Sequence, residues 1–217
     1  MKVLILVSGL VVMASVGCNL TGANKIKGSG VVKSEKRSLA PFTALDVNCA
    51  GSVDVRMQEP ESLEISGDDN LIPLIITEVK DDTLYIRSIK KYAPREKLRI
   101  MISIPDLGKF VFAGAGDASI SNIKNNRFEI VLSGAGDVKA SGETKEAAIT
   151  LSGAGDLDAR NLLAKSAKAN STGVGSVDVY ASEQLEAKSS GVGEINYFGS
   201  PKIVKKESSG IGSINER

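Results

Sequence analysis

Six copies of one short turn dominate the second half of the chain. Each copy has a glycine, one apolar residue and a second glycine, and the first glycines fall at residues 114, 134, 153, 173, 191 and 210. Steps of 18 to 20 residues are typical of a solenoid, in which every repeat forms one coil on top of the previous one. The pattern therefore predicts a stacked fold that presents a long surface rather than one deep pocket.

The turn glycines have a conformational reason. A sharp corner between two strands often needs a positive φ, which glycine adopts at little cost. A small residue between the two glycines lets successive corners stack closely. We therefore assign a structural role to all twelve turn glycines, which are Gly114, Gly116, Gly134, Gly136, Gly153, Gly155, Gly173, Gly175, Gly191, Gly193, Gly210 and Gly212.

Apolar and polar residues alternate on both sides of each turn, which indicates strands with one face inward. The second residue after the second glycine is always apolar. The residues at this position are Val53, Ala118, Val138, Leu157, Val177, Ile195 and Ile214. The strand before the turn ends in Phe112, Leu132, Leu151, Ser171 and Ser189. Stacked coils would align each set into an interior ladder. The chain is thus predicted to be all-β, a parallel β-helix with coils of about 19 residues, regular over residues 108–217.

Residues 31–107 lack the regular spacing and are predicted to form irregular N-terminal coils that cover the apolar end of the stack. Asn48–Val53 is a degenerate copy of the turn in which Cys49 takes the place of the first glycine. From Gly51 to Gly116 the chain has room for about three coils. Cys49 is interpreted as a small buried residue rather than a reactive thiol, since no cluster of lysines or histidines surrounds it in sequence.

The first 17 residues have a basic start and a short apolar run, which is typical of a secretory signal peptide. Gly17-Cys18 resembles a lipobox, in which Cys18 becomes the lipid-modified (palmitate) N-terminus; Ser15 departs from the usual leucine. The alternative is ordinary cleavage with Cys18 left as a thiol. Residues 18–30 are interpreted as a polar tether and residues 31–217 as one domain. This predicts a lipoprotein of the outer membrane, and Asn19–Asn24 lacks the acidic cluster of some surface-export signals, which favours the periplasmic face over the cell surface.

Charge and composition exclude several functions. Lys2 is the only charged residue of the leader, so 26 basic and 26 acidic residues remain without a basic stripe for nucleic acid. The chain has no histidine, which excludes Ser-His-Asp and Cys-His catalysis and histidine-based metal sites. Asp158 with Arg160 and Asp178 with Tyr180 are interpreted as outward residues of a solvated face. We therefore predict no enzyme, no cofactor and no dedicated metal site.

Three aspartates follow the second glycine of successive turns. Stacked one strand spacing apart, Asp117, Asp137 and Asp156 could contact a cation or a ligand. The simpler alternative is that each carboxylate accepts a backbone N–H at its corner, and Ser176 and Ser213 interrupt the column.

The final coil offers an edge for pairing. An uncovered coil presents unpaired backbone groups, which predicts a homodimer through the C-terminal edge. The alternative is that Lys205-Lys206-Glu207 and Glu216-Arg217 blunt this edge with charge.

Several segments outside the regular turns resemble the family described as "putative auto-transporter adhesin, head GIN domain". They are residues 28–37, Phe42–Val55, Leu84–Arg87, Ile100–Leu107, Gly193–Asn196 and Gly212–Asn215, together with the Ser-Gly-Ala-Gly-Asp turns. The resemblance covers residues 28–217 and implies a short right-handed β-helix in an envelope lipoprotein. It implies no settled activity, because a fold does not fix a function.

Two functions from different classes follow from these features. The first is a lipid-anchored, non-enzymatic surface for adhesion, binding or scaffolding at the bacterial envelope, with a glycan or protein ligand. The second is a periplasmic sensing or regulatory lipoprotein. A carbohydrate-active enzyme is a third interpretation, disfavoured by the absence of a nucleophile and base pair.

Overall fold

Strands account for most of the computed structural model, which describes residues 25–57 and 60–217. The strands of this part are β1 (Ile26–Lys27), β2 (Val32–Arg37), β3 (Ala44–Asn48), β4 (Ser52–Met57), β5 (Ser62–Asp68), β6 (Ile75–Lys80), β7 (Thr83–Ser88), β8 (Tyr92–Ala93), β9 (Arg99–Ile104), β10 (Lys109–Phe112), β11 (Ala118–Leu132), β12 (Val138–Leu151), β13 (Leu157–Ser171), β14 (Val174–Tyr180), β15 (Gln184–Ser189), β16 (Val192–Phe198), β17 (Ile203–Ser208) and β18 (Ile211–Glu216). One 3-10 turn, Ile72–Leu74, precedes β6. The predicted all-β solenoid is confirmed, with about five turns.

Parallel pairing between equivalent strands builds the regular part of the solenoid. On one face the order is β4, β11, β12, β13, β14, β16 and β18. On another, β10 is followed by the second halves of β11, β12 and β13 and then by β15 and β17. The long strands β11 and β12 cross from one face to the next, where their register shifts after Ile120 and after Lys139.

The predicted interior ladders are present. Val53, Ala118, Val138, Leu157, Val177, Ile195 and Ile214 are register partners in one continuous column. The first six are at most 3% exposed, so each is a core residue. The second column, Phe112 to Ser189, is also buried throughout. Period-two alternation therefore identified the core correctly over residues 108–198.

The glycine corners stack directly on one another. Ala50, Ala115, Ala135, Ala154 and Val174 form successive parallel bridges between the corners. In five of the six repeated corners the second glycine has a positive φ, for example +133° at Gly136. A Cβ atom at Gly136 would lie 1.8 Å from the carbonyl oxygen of Gly116 in the coil below. The corner thus excludes side chains for two reasons, the backbone angle and the close approach of the neighbouring coil.

The N-terminal part is a cap rather than a series of coils. Strand β5 pairs antiparallel with β2 and β9, and β6 pairs antiparallel with β7. Strands β7 and β9 pair with β3 and β4 on the side away from the repeats. Residues 31–107 thus cover the apolar end of the stack with irregular strands, as predicted, and no coil lies between the corners at Gly51 and Gly116. The two corners are direct neighbours through the Ala50–Ala115 bridge, because the intervening segment folds back as a cap.

The last residues assigned to the tether belong to the folded part. Ile26–Lys27 pairs with β8. The buried Asp68 carboxylate accepts hydrogen bonds from the amides of Gly30 (2.6 Å) and Arg95 (2.9 Å). Asn70 contributes two more bonds, from the Ser29 amide to its oxygen and from its own amide group to the Lys27 carbonyl. Residues 26–30, which the sequence analysis placed in the tether, are therefore held against the folded part by partners that local polar composition does not reveal. The signal peptide and Cys18 lie outside the described residues.

We expect replacement of Asp68 by asparagine to release the segment 26–30. Burial alone would raise the pKa of Asp68, but the amides of Glu96, Gly30 and Arg95 and the charge of Arg95 outweigh it, so this pKa lies below its ordinary value. The carboxylate's stabilising contribution is therefore complete above the unfolded-state pKa of about 3.9 and is lost as the pH falls through the lower folded value. In D68N, amide exchange over residues 26–30 should become fast at pH 7. The exposed-site variant Asp106→Asn should exchange like the wild type, and unchanged protection in D68N would contradict this prediction.

Cys49 is buried, as predicted. It is 6% exposed, and burial raises the pKa of its thiol to about 12, although the neighbouring Tyr92 hydroxyl partly opposes the shift. That hydroxyl donates its proton to the carbonyl of Ala50 and lies over this corner. The thiol is therefore held protonated and shielded at neutral pH.

We expect iodoacetamide at pH 8 not to modify Cys49 in the native protein. The thiolate is the reacting species, and the raised pKa keeps this thiol protonated. Full labelling is expected in guanidinium chloride, followed by peptide mapping of residues 38–56. Tyr92→Ala should make native labelling detectable, while Tyr85→Ala, on another part of the surface, should not. Rapid native labelling of the wild type would show that the thiol is accessible.

No helix among residues 25–57 and 60–217 has the length and apolar character needed to cross a membrane.

Candidate functional site

The longest outward surface follows the strands that leave the glycine corners. We call it the polar face; its central row is Met101, Asp54, Ser119, Lys139, Asp158, Asp178, Asn196 and Asn215. These residues alternate with the buried ladder that begins at Val53, so they point away from the core. Adjacent strands lie about 4.8 Å apart, and the row therefore runs along the solenoid axis for about 34 Å.

Two depressions form a groove along this face. The larger, of about 590 Å³, is lined by Arg99, Met101, Asp54 and Ser119 among others. The smaller, of about 290 Å³, lies next to Arg160 and Asp178. Both are bordered by Asp137 and Lys139, so they adjoin. We call the two together the axial groove.

The three predicted corner aspartates border this groove without converging on one point. Asp117 forms an ion pair with Lys97 (3.1 Å). Asp137 accepts a hydrogen bond from the backbone N–H of Asp156 in the next coil (3.1 Å). Asp156 in turn accepts bonds from the amide (2.8 Å) and the hydroxyl (2.6 Å) of Ser176. Two of the three carboxylates therefore connect successive corners.

The Ser176 hydroxyl, followed by its amide, lowers the pKa of Asp156 below the ordinary value. Within residues 25–57 and 60–217, no three acidic or cysteine side chains are grouped closely enough to hold a metal ion. The aspartate column thus fits hydrogen-bond acceptors held in place by the fold.

One arginine connects three coils at the C-terminal end of the groove. Arg160 pairs with Asp158 of its own strand (2.8 Å) and with Asp178 of the next strand. The guanidinium also lies 5.7 Å from the centre of the Phe198 ring, two strands away. Asn196 donates to Asp178 (3.0 Å) and extends the network. Asp158, Arg160 and Asp178, which the sequence analysis placed in two separate pairs, therefore belong to one cluster, and Tyr180 is the next outward residue along β14.

Phe198 is unusual among the phenylalanines. Four of the five, Phe42, Phe110, Phe112 and Phe128, are at most 5% exposed and form core. Phe198 is half-buried on the polar face, where it is the register partner of Tyr180. A Cβ at Gly199 would lie 2.8 Å from the Tyr180 ring, so the ring packs closely over that backbone. Two neighbouring aromatic side chains thus border the polar cluster.

Sequence reasoning missed the role of Phe198. The signal was present in its spacing, because Tyr180 and Phe198 are 18 residues apart, which is one coil. The position of Arg160 over the ring could not be read from spacing, since an arginine side chain reaches across two strands in several directions.

Comparison with known proteins gives two results. A model of the family described as "putative auto-transporter adhesin, head GIN domain" matches residues 41–201. No curated protein sequence matches the chain.

Several solved structures have the same fold. A protein described as a "putative adhesin" from Bacteroides fragilis is 30% identical, with a TM-score of 0.74 over 88% of this chain and 100% of that one. A "putative lipid binding protein" from Parabacteroides distasonis is 23% identical, with a TM-score of 0.54 over 89% of this chain and 100% of that one. A "putative adhesin" from Parabacteroides merdae is 18% identical, with a TM-score of 0.55 over 90% of this chain and 100% of that one. The last two show similarity of fold alone.

Proposed function

The chain belongs to the family described as "putative auto-transporter adhesin, head GIN domain", and we propose that it acts as a non-enzymatic adhesion or binding module of the bacterial envelope. In this proposal Cys18 carries the lipid anchor and the axial groove is the contact surface. Family membership supports an adhesion-like role at the cell envelope or surface.

The observation that carries the proposal is the continuous groove on a rigid polar face. Its walls are side chains from six stacked strands, β9, β4, β11, β12, β13 and β14, held in register by the glycine corners. Because neighbouring coils fix these side chains, little conformational entropy would be lost when a ligand binds. The residues bordering the groove include no histidine or thiol, and the outward carboxylates are engaged with lysine, arginine, serine or backbone groups. This arrangement suits recognition better than bond cleavage.

A bulky substitution in the groove tests the binding role without assuming the ligand. Ser119 points into the larger depression, and Ser119→Arg would fill part of it. Thr150→Arg is the matched control, because Thr150 is an outward residue of the face that carries Val131 and Asn170. Full-length protein in detergent would be immobilised and exposed to radiolabelled envelope polysaccharides, peptidoglycan and extracellular matrix proteins. We expect S119R to lose most of the retained ligand and T150R to retain it. Equal retention by both variants would contradict a role for the groove.

The anchor is tested by Cys18→Ala in full-length protein produced in a Gram-negative host. Wild-type protein should incorporate labelled palmitate and sediment with the outer membrane. C18A should lose the label and leave the membrane fraction. Membrane association that survives in C18A would show that another element attaches the protein.

A further inference from the structure

The C-terminal end of the axial groove has the composition of a carbohydrate site. We propose that Tyr180, Phe198, Arg160, Asp178 and Asn196 form a subsite for a neutral hexopyranose, the terminal part of a glycan that lies along the groove. This inference rests on the proposed binding function and names the ligand class for it.

The aromatic pair provides the apolar half of such a subsite. Pyranose rings have one face of C–H groups, and aromatic rings bind such surfaces through dispersion and burial of apolar area. Phe198 lies outward on a strand whose inward neighbour, Tyr197, already fills the core at 3% exposure. Packing of the core therefore does not account for Phe198. The Arg160 guanidinium lies 5.7 Å from the ring centre, and the part of this half-buried ring that stays exposed can stack on a sugar.

The polar half is already oriented. Arg160 holds Asp158 and Asp178, and Asp178 also accepts a hydrogen bond from Asn196 at 3.0 Å. The Asp178 side chain is only 14% exposed, so its geometry is fixed by these partners. Carboxylate oxygens accept more than one hydrogen bond, and the guanidinium has five N–H groups, so the network retains capacity for ligand hydroxyls. Planar polar groups with fixed positions distinguish one arrangement of hydroxyls from another.

Charge selects neutral over acidic glycans. Six aspartates border the groove, Asp54, Asp117, Asp137, Asp156, Asp158 and Asp178, against the three lining cations Arg99, Lys139 and Arg160 and the two cations Arg56 and Lys97, which pair with Asp54 and Asp117. A polyanion such as a uronic-acid or sulfated chain would meet a slight excess of negative charge and gain nothing from it. A cationic peptide would be attracted, but it would compete with Lys97 and Arg160, which already neutralise several of these carboxylates. A polyhydroxylated neutral ligand needs no such displacement.

The dimensions of the surface favour an oligosaccharide. The smaller depression, of about 290 Å³, has room for one ring and is lined by Arg160 and Asp178. Phe198 and Asn196 contact these two residues from outside the lining, so the subsite extends beyond the depression. It continues into the depression of about 590 Å³ across the strands from β13 to β4. From β4 to β16 there are five strand spacings, or about 24 Å. Affinity should therefore increase from disaccharide to hexasaccharide.

The test is titration calorimetry of full-length protein in detergent with neutral hexopyranose oligosaccharides of several linkages, and with uronic-acid and sulfated hexasaccharides as probes of charge. We expect binding of at least one neutral hexasaccharide and weaker binding of the acidic ones. Phe198→Ala should weaken binding at least tenfold, which is about 1.4 kcal/mol. Tyr85→Ala is the matched aromatic control, since Tyr85 is half-buried in β7 within the N-terminal cap. Circular dichroism would confirm that both variants are folded.

Each outcome separates this inference from the proposed function. Failure of every neutral glycan to bind overturns the inference, and so does preference for acidic glycans or equal affinity in F198A and Y85A. If S119R still loses retention of a protein ligand while no glycan binds, the groove is a protein-binding site, and only the carbohydrate inference fails. If S119R and T150R behave alike, the proposed function itself fails.

Discussion

Replacement of Gly136 by alanine is expected to destabilise the protein by about 2–6 kcal/mol, since two separate penalties combine. The φ of +133° is unfavourable for any residue with a Cβ atom, at about 1–3 kcal/mol. The new Cβ would also lie 1.8 Å from the Gly116 carbonyl oxygen, so two stacked corners must separate. Overpacking of this kind costs about 1–3 kcal/mol more. For a domain with a stability of about 5–15 kcal/mol, much of the folded population could be lost.

Urea unfolding followed by circular dichroism would measure the effect. Two controls separate the causes. Gly108 has no positive φ, and the atom nearest to a Cβ at this position would be the Thr43 carbonyl oxygen at 3.7 Å, so Gly108→Ala should change stability by less than about 0.5 kcal/mol. Ala135→Val changes the same corner at the position where Val174 and Val192 occur in later coils, and it should be tolerated. A G136A midpoint equal to that of the wild type would refute the steric account of the corner.

Removal of two charges from the final coil is expected to convert a monomer into end-to-end oligomers. Strand β17 pairs only with β15, and β18 pairs only with β16, within the described residues. Their outer backbone groups are therefore open to another strand. Two charged residues occupy inward positions of this coil. Lys206 is the register partner of the buried Ala187, and Glu216 is the register partner of the buried Tyr197.

Tyr197 holds both charged side chains over the end of the core. The Lys206 ammonium lies 4.5 Å from the centre of its ring, and its hydroxyl donates to Glu216 at 3.1 Å. A strand added in register would bury both charges, which is unfavourable unless they are fully paired. We therefore expect the wild type to be monomeric. This agrees with the alternative in which charged residues prevent pairing at the C-terminal edge, and not with the predicted homodimer.

The double variant Lys206→Leu with Glu216→Leu makes these two inward positions apolar while the backbone edge stays open. Light scattering after size exclusion should show dimers or larger species at concentrations where the wild type is monomeric. The control is Lys205→Leu with Glu207→Leu, which changes outward positions of the same strand and should leave the monomer largely intact. A dimeric wild type, or monomeric behaviour in the inward double variant, would contradict this account.

The repeat region was predictable because its rules are local. Alternation fixes which side of a strand each residue faces, and a constant repeat length fixes the register between coils. Both apply from Ala118 to Ile195, where the predicted ladder is the observed one. Stacking of the corners is equally local, because glycine at every equivalent position lets the coils approach.

The cap and the candidate site were not predictable in this way, because they depend on contacts between segments that are distant in sequence. The sequence of Ser62–Asp68 does not reveal that this strand pairs antiparallel with β2 and β9, which are distant in sequence. The polar stretch ending at Gly30 gave no sign of Asp68, whose carboxylate holds it in place. The repeat spacing predicted that the three corner aspartates stack in a column. It did not predict that Lys97 pairs with Asp117 or that Ser176 donates to Asp156.

The sequence by itself thus determined the all-β class, the inward ladders and the glycine corners, because each depends on a period or on the conformation of one residue. Only the tertiary structure decided how the cap pairs, where the tether ends and which side chains meet at Arg160, Tyr180 and Phe198. Those contacts depend on the reach of side chains and on hydrogen bonds between segments far apart in sequence, which no local pattern specifies.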